Sequence, residues 1–192
     1  MKKALIGYGG HAFEVMAQMG EKLPCFVDNK YMTSNTYPLS KLNPSEYEVM
    51  IAIADPEVRS KIAFLLSPFT TFFTFIHPTA LIMDKNIEIG EGSFIGAYSI
   101  LTTNIKIGKH AILNRNNHIG HGCEIGNYFS AMPGAIVSGD VKINDCVYLG
   151  TNSSIKEKLS ISKNITIGLN TGITNNINEP GTYYRSSYLT KK

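Results

Sequence analysis

From Ile89 to Asn178 apolar positions return every six residues. Cut from Ile89, the chain reads IGEGSF, IGAYSI, LTTNIK, IGKHAI and onward to ITNNIN, fifteen hexads without an insertion. The first position is Ile, Leu or Val in every hexad except Ala131, and the second is Gly in seven of the fifteen. The fifth is mostly small or apolar, as at Ser93, Ala111, Cys123, Val141 and Ile165. Two weaker hexads, HPTALI and MDKNIE, carry the register back to His77. A lone strand alternates every two residues and a helix every three to four, so neither explains a period of six. A coil with three flat sides does. First-position residues point into the axis, glycine relieves the corner, and coils stack at about 4.8 Å. Three hexads make a coil, so residues eighteen apart lie above one another, and stacking explains the unbroken run.

Ahead of residue 77 the periods change. KALIG (Lys3 to Gly7) reads as a strand, HAFEVMAQMG as a helix ended by Gly20, and LPCFVD (Leu23 to Asp28) as a second strand. YEVMIAIAD (Tyr47 to Asp55) reads as a buried strand, PEVRSKIAFLL as a helix with Pro56 at its first position, and TFFTFI as a last strand. Strands alternating with helices predict a small, Rossmann-like parallel sheet whose ligands sit beyond the carboxyl ends of its strands. The expected organisation is an α/β domain over residues 1–76, a parallel β-helix over 77–178 and a tail over 179–192.

Composition narrows the function classes. A formal charge of +3 with scattered Lys and Arg leaves no footprint for nucleic acid. No apolar run approaches the ~20 residues that span a bilayer, and the apolar run near Met1 is cut at once by glycines, so neither a membrane span nor a signal peptide is expected. Three cysteines, Cys25, Cys123 and Cys146, form no CxxC pair and fit a reducing compartment, hence a cytoplasmic protein.

The segment GYGGHAFEV follows the first strand and opens the first helix. Its glycines let backbone N–H groups approach an anion at the positive end of that helix. The third glycine of GxGxxG is missing, yet Asp28 ends the second strand about where a ribose-binding acid lies. A mononucleotide diphosphate is therefore expected rather than NAD.

GYGGHA, the hexads and a histidine midway along them together resemble the left-handed β-helix, hexapeptide-repeat acyltransferases. The branch they resemble N-acetylates nucleotide-linked amino sugars (bacillosamine, viosamine and perosamine N-acetyltransferases) or O-acetylates sialic acid. The resemblance runs from Lys3 to about Asn178. It implies a left-handed coil, acetyl-CoA as cosubstrate without a metal, a homotrimer, and a nucleotide-linked 4-amino-4,6-dideoxyhexose as acceptor, dTDP- or UDP-linked ahead of GDP-linked. The product would enter lipopolysaccharide or capsule synthesis.

The same likeness distributes roles. His121 fills the position of the family's general base, a task suited to a reference pKa of about 6.5, and Asn114 would position the amine. The family's acid directly after the base is here Gly122, and a second family histidine is Ser130. Gly139 would hold the thioester oxygen, with Ser130 and Gly168 on the oxyanion and CoA side. Gly7, Gly9, Gly10 and His11 would lie near the diphosphate or sugar, Asp28 and Asn29 near the base or ribose, and Asp55 and Arg59 close by. His118 has no family counterpart, and His110, fourth in its hexad, reads as a surface residue. Asn117, at a fifth position, is expected to satisfy backbone groups at a corner. Other readings are a sugar O-acetyltransferase, a zinc hydratase of γ-carbonic-anhydrase type using His110, His118 and His121, and a non-catalytic nucleotide-sugar binder.

Overall fold

In the computed structural model, which describes residues 1–66 and 68–184, the amino-terminal segment forms a parallel sheet. Its strands are β1 (Lys2–Ile6), β2 (Cys25–Val27), β3 (Tyr37–Pro38), β4 (Tyr47–Ile51) and β5 (Thr71–Phe72), ordered β3-β2-β1-β4-β5. Helix α1 (Gly10–Met19) links β1 to β2, and α2 (Pro56–Leu66) links β4 to β5. Helix α1 stops at Gly20 because its φ of 69° turns the chain left-handed, letting the Glu21 N–H close on the Met16 carbonyl. Helix α2 starts at Asp55, whose carboxylate accepts the Val58 N–H at 2.9 Å. The short strand β3 carries too little apolar pattern to be read from the chain.

TFFTFI does not stay in one sheet. Thr71–Phe72 pairs with β4, whereas Phe75–Ile76 pairs with Phe94–Ile95 of the coil. From there the chain winds as a left-handed parallel β-helix. Among the described residues, face I has seven strands, from Phe75–Ile76 through Ile112–Leu113 to Gly181–Tyr183. Face II has six, from Leu81–Ile82 through His118–Ile119 to Gly172–Ile173, and face III five, from Glu88–Ile89 to Ser160–Ile161. Central coils pair residues eighteen apart, as Glu124 with Lys142.

At both ends the register slips. Ile82 pairs with Leu101 and Ile76 with Ile95, so the first-position residues of the first coil are Ile76 and Ile82, not His77 and Met83. One extra residue lies between Ile82 and Ile89, and Met83 is exposed. At the other end Ile161 bridges Ile177 and Ile167 pairs with Tyr183, a coil of sixteen residues. Of the tail, residues 185–192 lie outside the described residues.

First-position residues from Ile95 to Ile167 are almost fully buried. Ala131, the small exception, sits two residues after a fully buried Phe129 in the same core cluster, an exchange that conserves volume. The sharp corner falls at the fourth position, where fourteen successive residues from Gly92 to Asn170 have positive φ, only three of them glycine. Second-position glycines answer a different demand. A Cβ on Gly108 would stand 2.6 Å from the backbone carbon of Gly126 in the next coil, and one on Gly120 2.7 Å from the Gly139 nitrogen. They permit close stacking rather than the turn.

The α/β unit lies over face I. Phe94 and Ile112, which point outward from that face, are buried in one cluster with Leu5, Ala12 and Val15, each large side chain contributing roughly 2 kcal/mol on burial. Arg59 of α2 fastens one border of the contact. Its guanidinium donates to the carbonyls of Ile53 and Ala54 in its own unit, to those of His110, Tyr128 and Phe129 in the coil, and to Ser130 Oγ. Helix α1 fastens the other. Gln18 accepts the Ala97 N–H at 2.7 Å, and Glu14 accepts Asn114 Nδ2 at 3.0 Å and Arg115 Nη1 at 2.8 Å.

Candidate active site

Beyond the carboxyl ends of β2, β1 and β4 three loops meet. The first holds Gly7, Gly9 and Gly10. Gly7 has φ 112°, and a Cβ there would press on Ile53 and the Ala52 carbonyl at 3.0–3.1 Å. Gly9 begins α1 without a side-chain cap, and Gly9 and Gly10 are exposed, with open space where side chains would stand. The second loop carries exposed Asp28 and Asn29, with Asp28 Oδ1 accepting the Lys30 N–H at 3.1 Å. The third carries Asp55, which caps α2. Adjacent strands β1 and β4 send their helices toward opposite edges of the sheet, so the loops flank its switch point, where ligands of such sheets bind.

His11 turns away from this rim and packs beneath it. Its ring stands edge-on to Phe94, centroids 5.5 Å apart, and Nδ1 lies 3.5 Å from Glu14 Oε2 without hydrogen-bond alignment. Burial pushes its pKa down, against the pull of Glu14. Partial burial would raise the Glu14 carboxyl, but the donors on Arg115 and Asn114 outweigh it and hold that group below the usual carboxylate range. Asn114, 3% exposed, is engaged on both sides, its Oδ1 accepting the Arg115 N–H.

His121 occupies the corner between faces II and III, its side chain 64% exposed. The ring lies over Gly139: a Cβ there would come within 2.5 Å of His121 Cε1 and Nε2. Nδ1 is 3.6 Å from Asp140 Oδ1, and the Asp140 N–H donates to the His121 carbonyl at 2.7 Å. A side chain on Gly122 would collide with that carboxylate. Asp140 escapes a linear reading because it sits nineteen residues on; its signal is its place one coil beyond Gly122.

The structure thus brings His121 to Gly139, and Gly7, Gly9 and Gly10 to Asp28, Asn29 and Asp55. It holds the other candidates apart. Asn114 stands at the corner between faces I and II, one full face from His121. Gly168 stands at that same corner three coils further on, against Tyr184. Ser130 is fully buried under the α/β unit, donating to the Ala54 carbonyl at 2.7 Å and accepting from Arg59. Arg59 is itself fully buried; burial pushes its pKa down to about 9, so it stays cationic at neutral pH. With its donors turned to protein acceptors, it is a clamp between the two units rather than an open anion ligand.

The other histidines diverge. His110 is not a surface residue: it is 4% exposed, edge-on to Phe72 and stacked on Tyr128. His118 is exposed on face II. Among the described residues no three His, Cys, Asp or Glu side chains converge as a metal site, and no helix is long and apolar enough to cross a membrane. Asn117 does serve its corner, donating to the Met132 carbonyl at 2.7 Å.

No family model matches the chain. Over 108 residues it is 32% identical to GDP-perosamine N-acetyltransferase of Escherichia coli O157:H7, an alignment taking in 56% of this chain and 48% of that protein. The match therefore spans about half the length of that curated relative. Over its full extent the chain resembles two solved structures. WeeI from Acinetobacter baumannii AYE is 30% identical, with a TM-score of 0.84 and 95% of each chain covered. PerB from Caulobacter crescentus, solved in complex with CoA and GDP-perosamine, is 19% identical with a TM-score of 0.86, covering 96% of this chain and 94% of PerB, and shows the same fold. An α/β unit with an open glycine loop, docked on a left-handed β-helix with a corner histidine, defines a hexapeptide-repeat protein of acyltransferase type. Within that class the chain belongs to the nucleotide-sugar N-acetyltransferases.

Proposed function

We propose that this protein transfers an acetyl group from acetyl-CoA to the 4-amino group of a nucleoside-diphosphate-linked 4-amino-4,6-dideoxyhexose, in the cytoplasm, for lipopolysaccharide or capsule synthesis. The observation that carries this reading is the His121 ring, exposed above Gly139 on a framework of this family. In a ternary complex His121 takes the amine proton as nitrogen attacks the thioester carbonyl. The Gly139 N–H faces the developing oxyanion. The attack forms the C–N bond; collapse of the oxyanion restores the carbonyl and breaks the C–S bond, and the imidazolium returns its proton to the CoA thiolate, with no acetyl-enzyme.

The nucleotide diphosphate belongs at Gly7, Gly9 and Gly10, where open backbone meets the positive end of α1, with Asp28, Asn29 and Asp55 around ribose and base. Asn114 and His11, both packed against Glu14 beneath that rim, support the sugar side without reaching the sugar. CoA lies along the outer surface of the coil, toward Gly168, with Lys142, Lys156 and Lys158 for its phosphates. Nothing in the Asp28 loop selects a base, and the perosamine relatives move a GDP-linked sugar ahead of the dTDP- and UDP-linked ones.

A homotrimer completes the reading. The loop site borders the corner of faces I and II, whereas His121 stands at the corner of II and III. Between them face II presents one column of Leu81, Ile100, His118 and Ile136, uncharged side chains, three of the four aliphatic, suited to a second copy. Seating one copy there brings a loop site toward a neighbour's His121.

The test is CoA-thiol release from acetyl-CoA with GDP-, dTDP- and UDP-linked 4-amino-4,6-dideoxyhexoses. Turnover on one of them, reduced at least ~100-fold in His121→Ala, supports the reading, the size following from removal of a general base. Full activity in His121→Ala would refute the base, and nucleotide binding without turnover would favour a binder.

A further inference from the structure

We propose that Asp140, supplied by the next coil, orients the His121 ring, holding hydrogen on Nδ1 and leaving Nε2 as the proton acceptor. This assignment rests on His121 being the base of the proposed reaction. It answers the absence of an acid directly after that histidine, where Gly122 stands.

The geometry is a diagonal exchange between two stacked dipeptides. The pair His121 and Gly122 lies over the pair Gly139 and Asp140, eighteen residues on. The Gly139 position is bare because the imidazole lies across it, and the Gly122 position is bare because the Asp140 carboxylate fills the space beside it. A side chain at either glycine would displace one member of the pair. The backbone hydrogen bond from the Asp140 N–H to the His121 carbonyl fixes the two residues relative to each other. Asp140 takes φ 58° and Gly122 φ 67°, so both stand in the left-handed region, which Asp tolerates better than most residues.

The Nδ1–Oδ1 distance of 3.6 Å is longer than a hydrogen bond, and closing it by about half an ångström makes one. A carboxylate can only accept, so the hydrogen must be on Nδ1. The lone pair is then on Nε2. Asp140 touches neither substrate nor the reacting atoms and is a positioning residue, acting as the outer carboxylate does for other catalytic or metal-bound histidines.

Two variants test this on the full-length protein. Asp140→Gly removes the carboxylate at a backbone conformation glycine adopts freely. The exchange Gly122→Asp with Asp140→Gly restores an acid at the neighbouring stacked position. Nitrogen-15 chemical shifts of the neutral His121 ring report the tautomer. Expected are Nδ1–H in the wild type, a shift toward Nε2–H in Asp140→Gly, and recovery in the exchange variant. In parallel kcat should fall about 10- to 100-fold in Asp140→Gly with KM for both substrates little changed, and recover in the exchange. A wild-type ring already carrying hydrogen on Nε2, or the same tautomer in wild type and Asp140→Gly, overturns the assignment. A wild type without turnover on any donor refutes the proposed reaction instead, and the tautomer alone then decides the role of Asp140.

Discussion

Arg59 Nη2 donates to the Ser130 hydroxyl at 2.8 Å, joining residues 71 apart and two structural units. The same side chain reaches three coil carbonyls, so one border of the contact between the α/β unit and face I is held by a fully buried cation surrounded by acceptors. Replacing Arg59 by Ala should leave those carbonyls without a donor and cost about 3–5 kcal/mol. Arg59→Lys, with one ammonium in place of the guanidinium fork, should recover only part. Urea unfolding followed by far-ultraviolet circular dichroism checks both, and a loss under about 1 kcal/mol in Arg59→Ala would contradict the clamp.

Acid should loosen the same junction. Burial, followed by the Arg59 charge, pushes the His110 pKa from 6.5 down to about 4. Between those values the unfolded chain binds a proton that the folded one refuses. Stability therefore falls as pH drops from about 6.5 to about 4, by roughly 3 kcal/mol for this group. His11, also pushed down by burial, and Glu14, held down by Arg115 and Asn114, act in the same direction. Urea midpoints at about pH 7.5 and about pH 5 should differ clearly in the wild type and less in His110→Asn. Asparagine tolerates the φ of 55° found there. An equal pH slope in both would exclude His110 as a source of the acid sensitivity.

Glycine substitutions should separate by stacking position. Gly108→Ala drives a Cβ to 2.6 Å from Gly126 and 2.7 Å from the Asn127 nitrogen, both backbone, and should cost about 1–3 kcal/mol. Gly172→Ala meets only Ser154 Oγ at 3.6 Å and should change stability by less than about 0.5 kcal/mol. Thermal unfolding of the pair checks the contrast; equal losses would mean that the close coil contact at Gly108 does not set its cost.

The coil is legible in the chain because its determinant is local: one aliphatic residue in six, repeated, can satisfy only a three-sided axis. What escapes depends on neighbours eighteen residues away. His110 looks like a corner residue in its own hexad and is buried because Phe72 and Tyr128 enclose it. Arg59 follows a helix start in the α/β unit, yet most of its acceptors lie on the coil. The slip at Ile82 is hidden because an unbroken six-residue frame carried back from Ile89 lands on His77 and Met83, although Ile76 and Ile82 suit the aliphatic position better. A signal for the three faces is present at the sixth position taken every third hexad. Phe94 and Ile112 mark the covered face, Ile100 and Ile136 the apolar one, and Lys106, Glu124 and Lys142 the charged one.

That sixth-position column yields the last prediction. On face III outward residues alternate in charge and pair along the stack, Lys106 with Glu88 at 3.3 Å and Lys142 with Glu124 at 3.7 Å, as a solvated surface does. On face II Ile136 is 42% exposed beside His118, with no carboxylate, Lys or Arg in the column from Leu81 to Ile136. A carboxylate placed there would face solvent harmlessly in a monomer but would be stripped of water against a second copy. Ile136→Glu should therefore leave the monomer folded, convert the proposed trimer to monomer in light scattering, and abolish transfer although His121 and the glycine loop are untouched. An Ile136→Glu protein that stays trimeric with unchanged stability and activity would place the interface on another face.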